Sequence, residues 1–199
     1  MKRAVALFDF DNTIAQGDSI KRLLIYDLKK RPYHCFYFFQ VAFFYIGYIL
    51  HLCSFEKAKT ALLFPLRSMD EEELKLFYKT YVAPYCYPHM LAEMKKRQQE
   101  GCLVIVCTAS VEGYMQYHDL PADCLLGTRV KGDKVIGKNC KGLEKIQRIL
   151  QYLEQLDCEI DYEHSYGYSD SNDDIPMLSL VKYQKRVLLK SGKIVDFKV

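Results

Sequence analysis

The sequence contains no tryptophan, no CxxC pair, no internal repeat and no low-complexity linker. Its eight cysteines, at 35, 53, 86, 102, 107, 124, 140 and 158, are scattered along the chain. A disulfide scaffold or a zinc site needs tighter spacing or histidine partners, so reduced, mostly buried thiols in a cytoplasmic compartment are expected. A surplus of one charge sign is missing too: 28 Lys and Arg against 25 Asp and Glu leave +3. That is too little to imply nucleic-acid binding. No leader-like apolar run opens the chain either. Ala4–Phe8 follows Met1-Lys2-Arg3, but Asp9 and Asp11 interrupt it, too early for a signal-peptide core. The mature chain is therefore expected to begin at or near Met1.

One further absence is local. Between Tyr33 and Cys53 there is no Asp, Glu, Lys or Arg, and this window holds nine of the chain's 16 Tyr and 11 Phe. The 14% aromatic content is thus a concentrated excess. The 199 residues are 50% hydrophobic and 27% charged, which suits one folded domain with a modest insertion and excludes a disordered chain.

Short apolar runs ending in polar clusters mark buried parallel strands: Ala4–Phe10, Cys102–Cys107, His164–Tyr168 and Arg186–Leu189. Helical stretches at Pro88–Glu100, Gly142–Leu156 and Asp174–Val181 separate them, the alternation of a doubly wound parallel α/β sheet of Rossmann type. From about 15 to 87 only helices are expected: Asp18–Lys30, the aromatic window, Ser54–Leu63 and Asp70–Val82. The expected division is an α/β core of residues 1–14 and 88–199, with an all-helical insertion of residues 15–87 over the mouth of the sheet.

The chemistry sits at strand ends. Phe8-Asp9-Phe10-Asp11-Asn12-Thr13 sets two carboxylates two residues apart, on one side of an extended chain. There they can share a metal or divide nucleophilic and acid–base work. Val106-Cys107-Thr108-Ala109-Ser110, Cys140-Lys141-Gly142-Leu143-Glu144-Lys145 and Tyr168-Ser169-Asp170-Ser171-Asn172-Asp173-Asp174 follow in order. With these four motifs the chain resembles the haloacid dehalogenase-like superfamily of phosphohydrolases along its whole length. The resemblance implies Mg²⁺ held by Asp9, Asp170 and the Asp11 carbonyl, nucleophilic attack on phosphorus by Asp9, and acid–base catalysis by Asp11. It further implies that Thr108 and Lys145 grip the phosphoryl oxygens and that Asp174 supports Lys145 or the metal shell. Thr13, Asp18 and Ser110 are candidates for substrate binding, and Asn172 for a supporting role. Lys141 competes with Lys145, and Asp173 with Asp174. The family's spacing, a glycine three residues before the lysine and D-x-x-x-D followed by an apolar residue and proline, is met by Gly142 with Lys145 and by Asp170 with Asp174-Ile175-Pro176, so the resemblance implies Lys145 and Asp174. The dehalogenases of this superfamily lack the second aspartate, so Asp11 implies phosphate chemistry.

The branch with a helical cap after the first motif includes phosphoserine phosphatase, whose relatives clamp an amino acid with an acid and a cap arginine. Asp18 can stand for the acid, but no arginine occurs between Pro32 and Leu66. The chain is more similar to the phosphatidylglycerophosphatase C group, through Asp18, the basic residues before a long apolar cap segment, and Gly167-Tyr168-Ser169-Asp170-Ser171-Asn172. A lipid phosphomonoester substrate is what this resemblance implies. The window Tyr33–Cys53 is long enough to span a bilayer, yet a single span would separate Asp9 from Thr108, Lys145 and Asp170. A re-entrant hairpin turning near Gly47, or a helix lying in the membrane interface, keeps the site whole; Lys29-Lys30-Arg31 would suit anionic lipid. A buried cap helix or an oligomer interface is the alternative. The protein is expected to be cytoplasmic, at the cytoplasmic membrane face if the window meets lipid. A soluble small-metabolite phosphatase and a non-catalytic metal-binding module are the rival readings of function.

Overall fold

The computed structural model describes residues 1–197; the last two residues of the expected core range lie outside them. The strands are β1 (Lys2–Arg3), β2 (Val5–Phe8), β3 (Leu103–Val111), β4 (Cys124–Thr128) and the hairpin β5 (Val130–Lys131) and β6 (Lys134–Val135). Then come β7 (Glu159–Ile160), β8 (Tyr166–Ser169), β9 (Tyr183–Val187) and β10 (Ile194–Asp196). The main sheet has the order β10-β9-β8-β2-β3-β4, parallel except for the β10 edge. The doubly wound α/β fold is therefore as expected.

β2 is buried throughout and sits between β3 and β8, with Phe8 opposite Val106 on one side and Tyr168 on the other. Its side chains alternate between two cores, as a two-sided strand must. Ala6 and Phe8 join Val104, Val106 and Tyr168 in one. Val5 and Leu7 join Leu103, Ile105 and Ile149 in the other. The Phe8 and Tyr168 rings stack at 4.3 Å. The chain leaves β2 toward β3 on one side and returns to β8 on the other, so β2 marks the switch point where such sheets hold ligands.

The helices between β2 and β3 are α1 (Ser19–Lys30), α2 (Tyr37–Ile49), α3 (Phe55–Leu62), α4 (Glu71–Phe77) and α5 (Pro88–Gln99), and the short α6 (Glu112–Met115) follows β3. Asp18, Ser54 and Asp70 cap α1, α3 and α4 through their side chains, which is why acidic and hydroxyl residues precede each apolar stretch. The chain enters and leaves this helical segment at adjacent points. Ala15 and Cys86 form a β-bridge, flanked by Gln16 N–H to Tyr85 O at 2.9 Å and Tyr87 N–H to Ile14 O at 2.8 Å. The segment rests on the core through Arg67–Asp133 (2.6 Å) and the bond from Val135 N–H to Thr60 Oγ1 (3.1 Å).

Several expectations shift. The helix expected over Asp70–Val82 ends at Phe77 and continues as a π-turn, Tyr78–Val82, because Pro84 cannot extend an α-helix. His164 falls in a 3-10 turn rather than a strand, and the strand expected at Arg186–Leu189 runs from Tyr183 to Val187. The helix expected over Asp174–Val181 shortens to α8 (Ile175–Leu178), whereas α7 (Leu143–Gln155) is close to its expected span. Gly47 lies inside α2, not at a turn. The chain reverses after it, at Leu50–Cys53, where His51 takes φ +57°. Among the described residues no helix is long and apolar enough to cross a membrane.

β8 has room for only a glycine where α8 crosses it: a Cβ on Gly167 would lie 2.7 Å from Leu178 Cδ2 and 2.9 Å from Val181 Cγ2. Gly167→Ala should therefore cost about 1–3 kcal/mol by overpacking, read as a Tm lower by about 2–4 °C per kcal/mol. An unchanged Tm would show that α8 moves away without penalty.

Candidate active site

The parallel register carries the ends of β2, β3 and β8 to one place. A cavity of about 260 Å³ opens there, with Asp9, Asp11, Thr108, Ser110, Lys145, Asp170 and Asp174 among its lining residues. Asp9 follows β2 directly, and its N–H bonds the Tyr168 carbonyl at 3.0 Å. Lys145, in the first turn of α7, is 2% exposed and places Nζ 2.7 Å from both Asp9 Oδ1 and Asp174 Oδ1. The Ser169 hydroxyl donates to the other Asp174 oxygen at 2.7 Å. Lys141 instead pairs at 2.9 Å with Asp173, both substantially exposed at the rim. All four line the cavity, Lys145 and Asp174 buried against Asp9 and Lys141 and Asp173 exposed.

Asp11 is held differently. Its carboxylate accepts from the Ser19 amide at 2.7 Å, from the Ser19 hydroxyl at 3.1 Å and from the Ser110 hydroxyl. Ser19 Oγ also lies 2.6 Å from Ser110 Oγ and 2.7 Å from the Tyr114 hydroxyl. Burial pushes Asp11 up to about 6, against the Ser110 hydrogen bond that lowers it. Burial pushes Asp9 up to about 7, against the opposing pull of the Lys145 ammonium. Asp170 is also raised by burial.

Of the other expected residues, Thr13 lies beneath the cavity, accepting from Asp170 N–H at 3.0 Å and donating to Asp170 Oδ1 at 3.3 Å. Asp18 lines the cavity while capping α1. Asn172 is exposed and its side-chain oxygen accepts from Arg186. Ser110 reaches the cavity with its hydroxyl already engaged by Asp11 and Ser19.

The profile of one family, described as haloacid dehalogenase-like hydrolase, matches residues 6–179. The chain belongs to the haloacid dehalogenase-like hydrolases. A histidinol-phosphatase from Neisseria meningitidis serogroup C (strain 8013) is 28% identical over 202 residues, covering 89% of this chain and 86% of that protein. A Bordetella pertussis Tohama I protein of unknown function superposes with a TM-score of 0.71 at 20% identity, over 92% of this chain and 89% of that one. A substrate-bound phosphoserine phosphatase superposes with a TM-score of 0.63 at 16% identity, over 96% of this chain and 90% of that one. These likenesses to solved structures establish the fold.

Two groups of this hydrolase carry no signal in the sequence. Ser19 and Tyr114 complete the hydroxyl cluster around Asp11, but a serine after a helix cap and a tyrosine in a short helix are ordinary residues. Lys59, on α3, is 5% exposed and reaches into the core. Its Nζ donates to the Ala109 carbonyl (2.5 Å), Asn139 Oδ1 (2.5 Å) and Thr128 Oγ1 (3.2 Å). All three acceptors are neutral, and burial lowers the ammonium from 10.5 to about 8.

Between those two values the unfolded chain keeps a proton that the folded hydrolase has released, so stability rises with pH across that window. Lys59→Met should remove this slope. The wild type is expected to gain on the order of 1–3 kcal/mol over the variant between pH 7 and 10, measured by urea unfolding. A wild-type advantage that shrinks as pH rises would reverse the direction.

Proposed function

We propose that this hydrolase is a Mg²⁺-dependent phosphomonoesterase that works through an aspartyl-phosphate on Asp9, and that it acts on a membrane lipid phosphate such as phosphatidylglycerophosphate. It is a phosphatase. The observation that carries the reaction is the pairing of Asp9 and Asp174 through buried Lys145, with Asp11 held apart by hydroxyls in the same cavity. Six aspartates and two lysines line that cavity, so a phosphate dianion entering alone would be repelled. Among the described residues no three His, Cys, Asp or Glu side chains converge on a metal point. Two carboxylates, a carbonyl and water nevertheless suit Mg²⁺, which keeps part of its hydration shell. Asp9, Asp170 and the Asp11 carbonyl would hold the ion, and bound there it would offset the carboxylate charge and stabilise the phosphoryl oxygens.

Lys145 holds Asp9 Oδ1, which leaves Oδ2 to attack phosphorus. As that P–O bond forms, the ester P–O bond breaks and the departing alkoxide takes the proton of the Asp11 carboxylic acid. The Asp11 carboxylate then takes a proton from water. The water oxygen attacks phosphorus, the acyl-phosphate P–O bond breaks, and Asp9 and inorganic phosphate are released. An Asp11 value near 6 suits both halves. Thr108 and Lys145 bear the charge that develops on the phosphoryl oxygens. The Ser19, Ser110 and Tyr114 hydroxyls orient Asp11, and Thr13 orients Asp170. Asp9→Asn should lower kcat by about 10⁴-fold or more, and acid-quenched wild type should carry phosphate on Asp9. Metal-dependent turnover retained by Asp9→Asn overturns the assignment.

The lipid reading rests on α2. No residue of it is buried, and Phe39 and Phe43 within it and Phe36 just before it are 76%, 72% and 70% exposed, an apolar surface that follows Lys29 and Lys30 in the chain, the latter paired with Glu73 at 2.9 Å. A helix with this face and basic neighbours suits an anionic membrane interface. The second reading, a small-metabolite phosphatase, is favoured by the names of the histidinol-phosphatase relative and the phosphoserine phosphatase neighbour. Against an amino-acid clamp, Arg31 is bound by Asp27 and Glu73 and Arg67 by Asp133. A non-catalytic module does not explain the retention of Asp9, Asp11, Thr108, Lys145 and Asp170 together.

Sedimentation with anionic vesicles tests the membrane contact. Binding is expected, weakened by salt, and reduced about tenfold to a hundredfold by Phe39→Asp or Phe43→Asp. Indifference to both salt and substitution overturns the contact while leaving the chemistry standing.

A further inference from the structure

Lys59 is a buried cation to which the proposed reaction gives no part. It belongs to α3 of the helical insertion, yet its ammonium lies in the core, where its three hydrogens meet three neutral acceptors: the Ala109 carbonyl, Asn139 Oδ1 and Thr128 Oγ1. The Ala109 carbonyl stands between Thr108 and Ser110. β3 pairs irregularly with β4 between Cys107 and Val111, and there that carbonyl accepts from side chains, Thr128 Oγ1 at 2.8 Å as well as Lys59. Ser110 N–H closes the turn on Thr108 Oγ1 at 3.0 Å, and the Ser110 hydroxyl donates to Asp11. Asn139 opens the stretch that leads into α7. Its carbonyl accepts from Lys141 N–H at 2.8 Å, and its own N–H donates at 3.4 Å to Glu56, which lies on α3 with Lys59. One side chain of the insertion therefore braces both the turn that carries Thr108 and the turn that precedes Lys145.

We propose that Lys59 is a positioning residue for phosphoryl transfer: its ammonium, delivered by the insertion, holds the Thr108–Ser110 turn and the approach to α7 in the geometry that grips phosphate. The proposal rests on the phosphatase reading of Asp9, Asp11 and Thr108. A neutral amine has two hydrogens for the same three acceptors, so loss of the proton releases one of the braced groups. It also removes a positive charge that acts on Asp11 and Asp18 beside the phosphate site. The charged and titratable groups facing Lys59 are Asp11 and Asp18 from the segment between β2 and α1, Cys140 and Arg148 from the α7 side, and Glu56 on α3 itself. Burial outweighs them and lowers the ammonium to about 8, so the hydrolase is switched off as pH rises through that value. Cys140 needs a control, because its hydrogen bond with Cys107 lowers that thiol.

The test is the pH profile of kcat/KM for p-nitrophenyl phosphate with Mg²⁺ between pH 6.5 and 9.5. The leaving group, a stable phenolate, departs without a proton from Asp11, and kcat/KM reports the free enzyme. The wild type should fall about tenfold or more by pH 9.5, along a limb centred near 8. Lys59→Met should be about tenfold to a hundredfold slower at pH 7 and show no such limb. Asn139→Asp gives the ammonium an anionic partner and should move the limb upward by about one unit or more, whereas Cys140→Ala should keep it in place. Unfolding does not imitate the limb, since the stability due to this group rises across the same window. Asn139→Asp reads the same limb should Lys59→Met fail to fold. A wild-type profile flat above pH 7.5, a limb that persists in Lys59→Met or vanishes in Cys140→Ala, or one unmoved in Asn139→Asp overturns the role of Lys59 while the phosphatase reading survives. No turnover by the wild type at any pH overturns that reading and the role with it.

Discussion

An ammonium buried between two carboxylates organises this molecule. Lys145 at 2.7 Å from Asp9 and Asp174 joins the end of β2, the first turn of α7 and the loop after β8. Removing one member would leave an uncompensated buried charge, among the costlier single changes available to a protein. The sheet register, the close crossing of α8 at Gly167 and the Ser169 bond to Asp174 all serve to hold these three groups in reach. Asp9 and Lys145 both sit in the lining of the cavity, so in the proposed reaction folding and chemistry would draw on one contact.

The two aspartates of the first motif share a strand end but have separate environments. Asp9 is set against a cation, whereas Asp11 is set among hydroxyls and a helix-terminal amide. Burial raises both, and the partners differ in kind. In the proposed mechanism these two carboxylates, only two positions apart, would take up distinct tasks, one nucleophilic and one exchanging protons.

Much of the fold and the outline of the site was legible in the sequence, for a physical reason. Buried parallel strands must be continuous apolar runs, and their C-terminal ends meet, so Asp9, Thr108 and Asp170 were readable as neighbours from three short runs. Lys145 was separable from Lys141 only by spacing, and burial now distinguishes them. The hydroxyl cluster of Ser19 and Tyr114 was not legible, because its meaning comes from packing α1 against the end of β3. Lys59 was hidden for the same reason, its three acceptors lying 50 to 80 residues away. The edge strand β4 and the β5–β6 hairpin were missed because they are short and only partly buried. The turn expected at Gly47 failed because a glycine within a long apolar stretch is tolerated in a helix. The chain reverses instead where His51 adopts a left-handed backbone.

The bridge between Ala15 and Cys86 has a consequence for descent. A segment that departs and returns through neighbouring hydrogen-bonded residues makes no demand on the path of the strands beneath it, and loop closure depends only weakly on the length enclosed. Within that segment α2, none of whose residues is buried, can therefore lengthen, shorten or change character while Ser19 and Lys59, which reach the core, and Asp9, Thr108, Lys145 and Asp170 keep their places. An uncharged, aromatic-rich stretch could accumulate there without disturbing the catalytic frame, which leaves substrate range and reaction free to evolve at different rates.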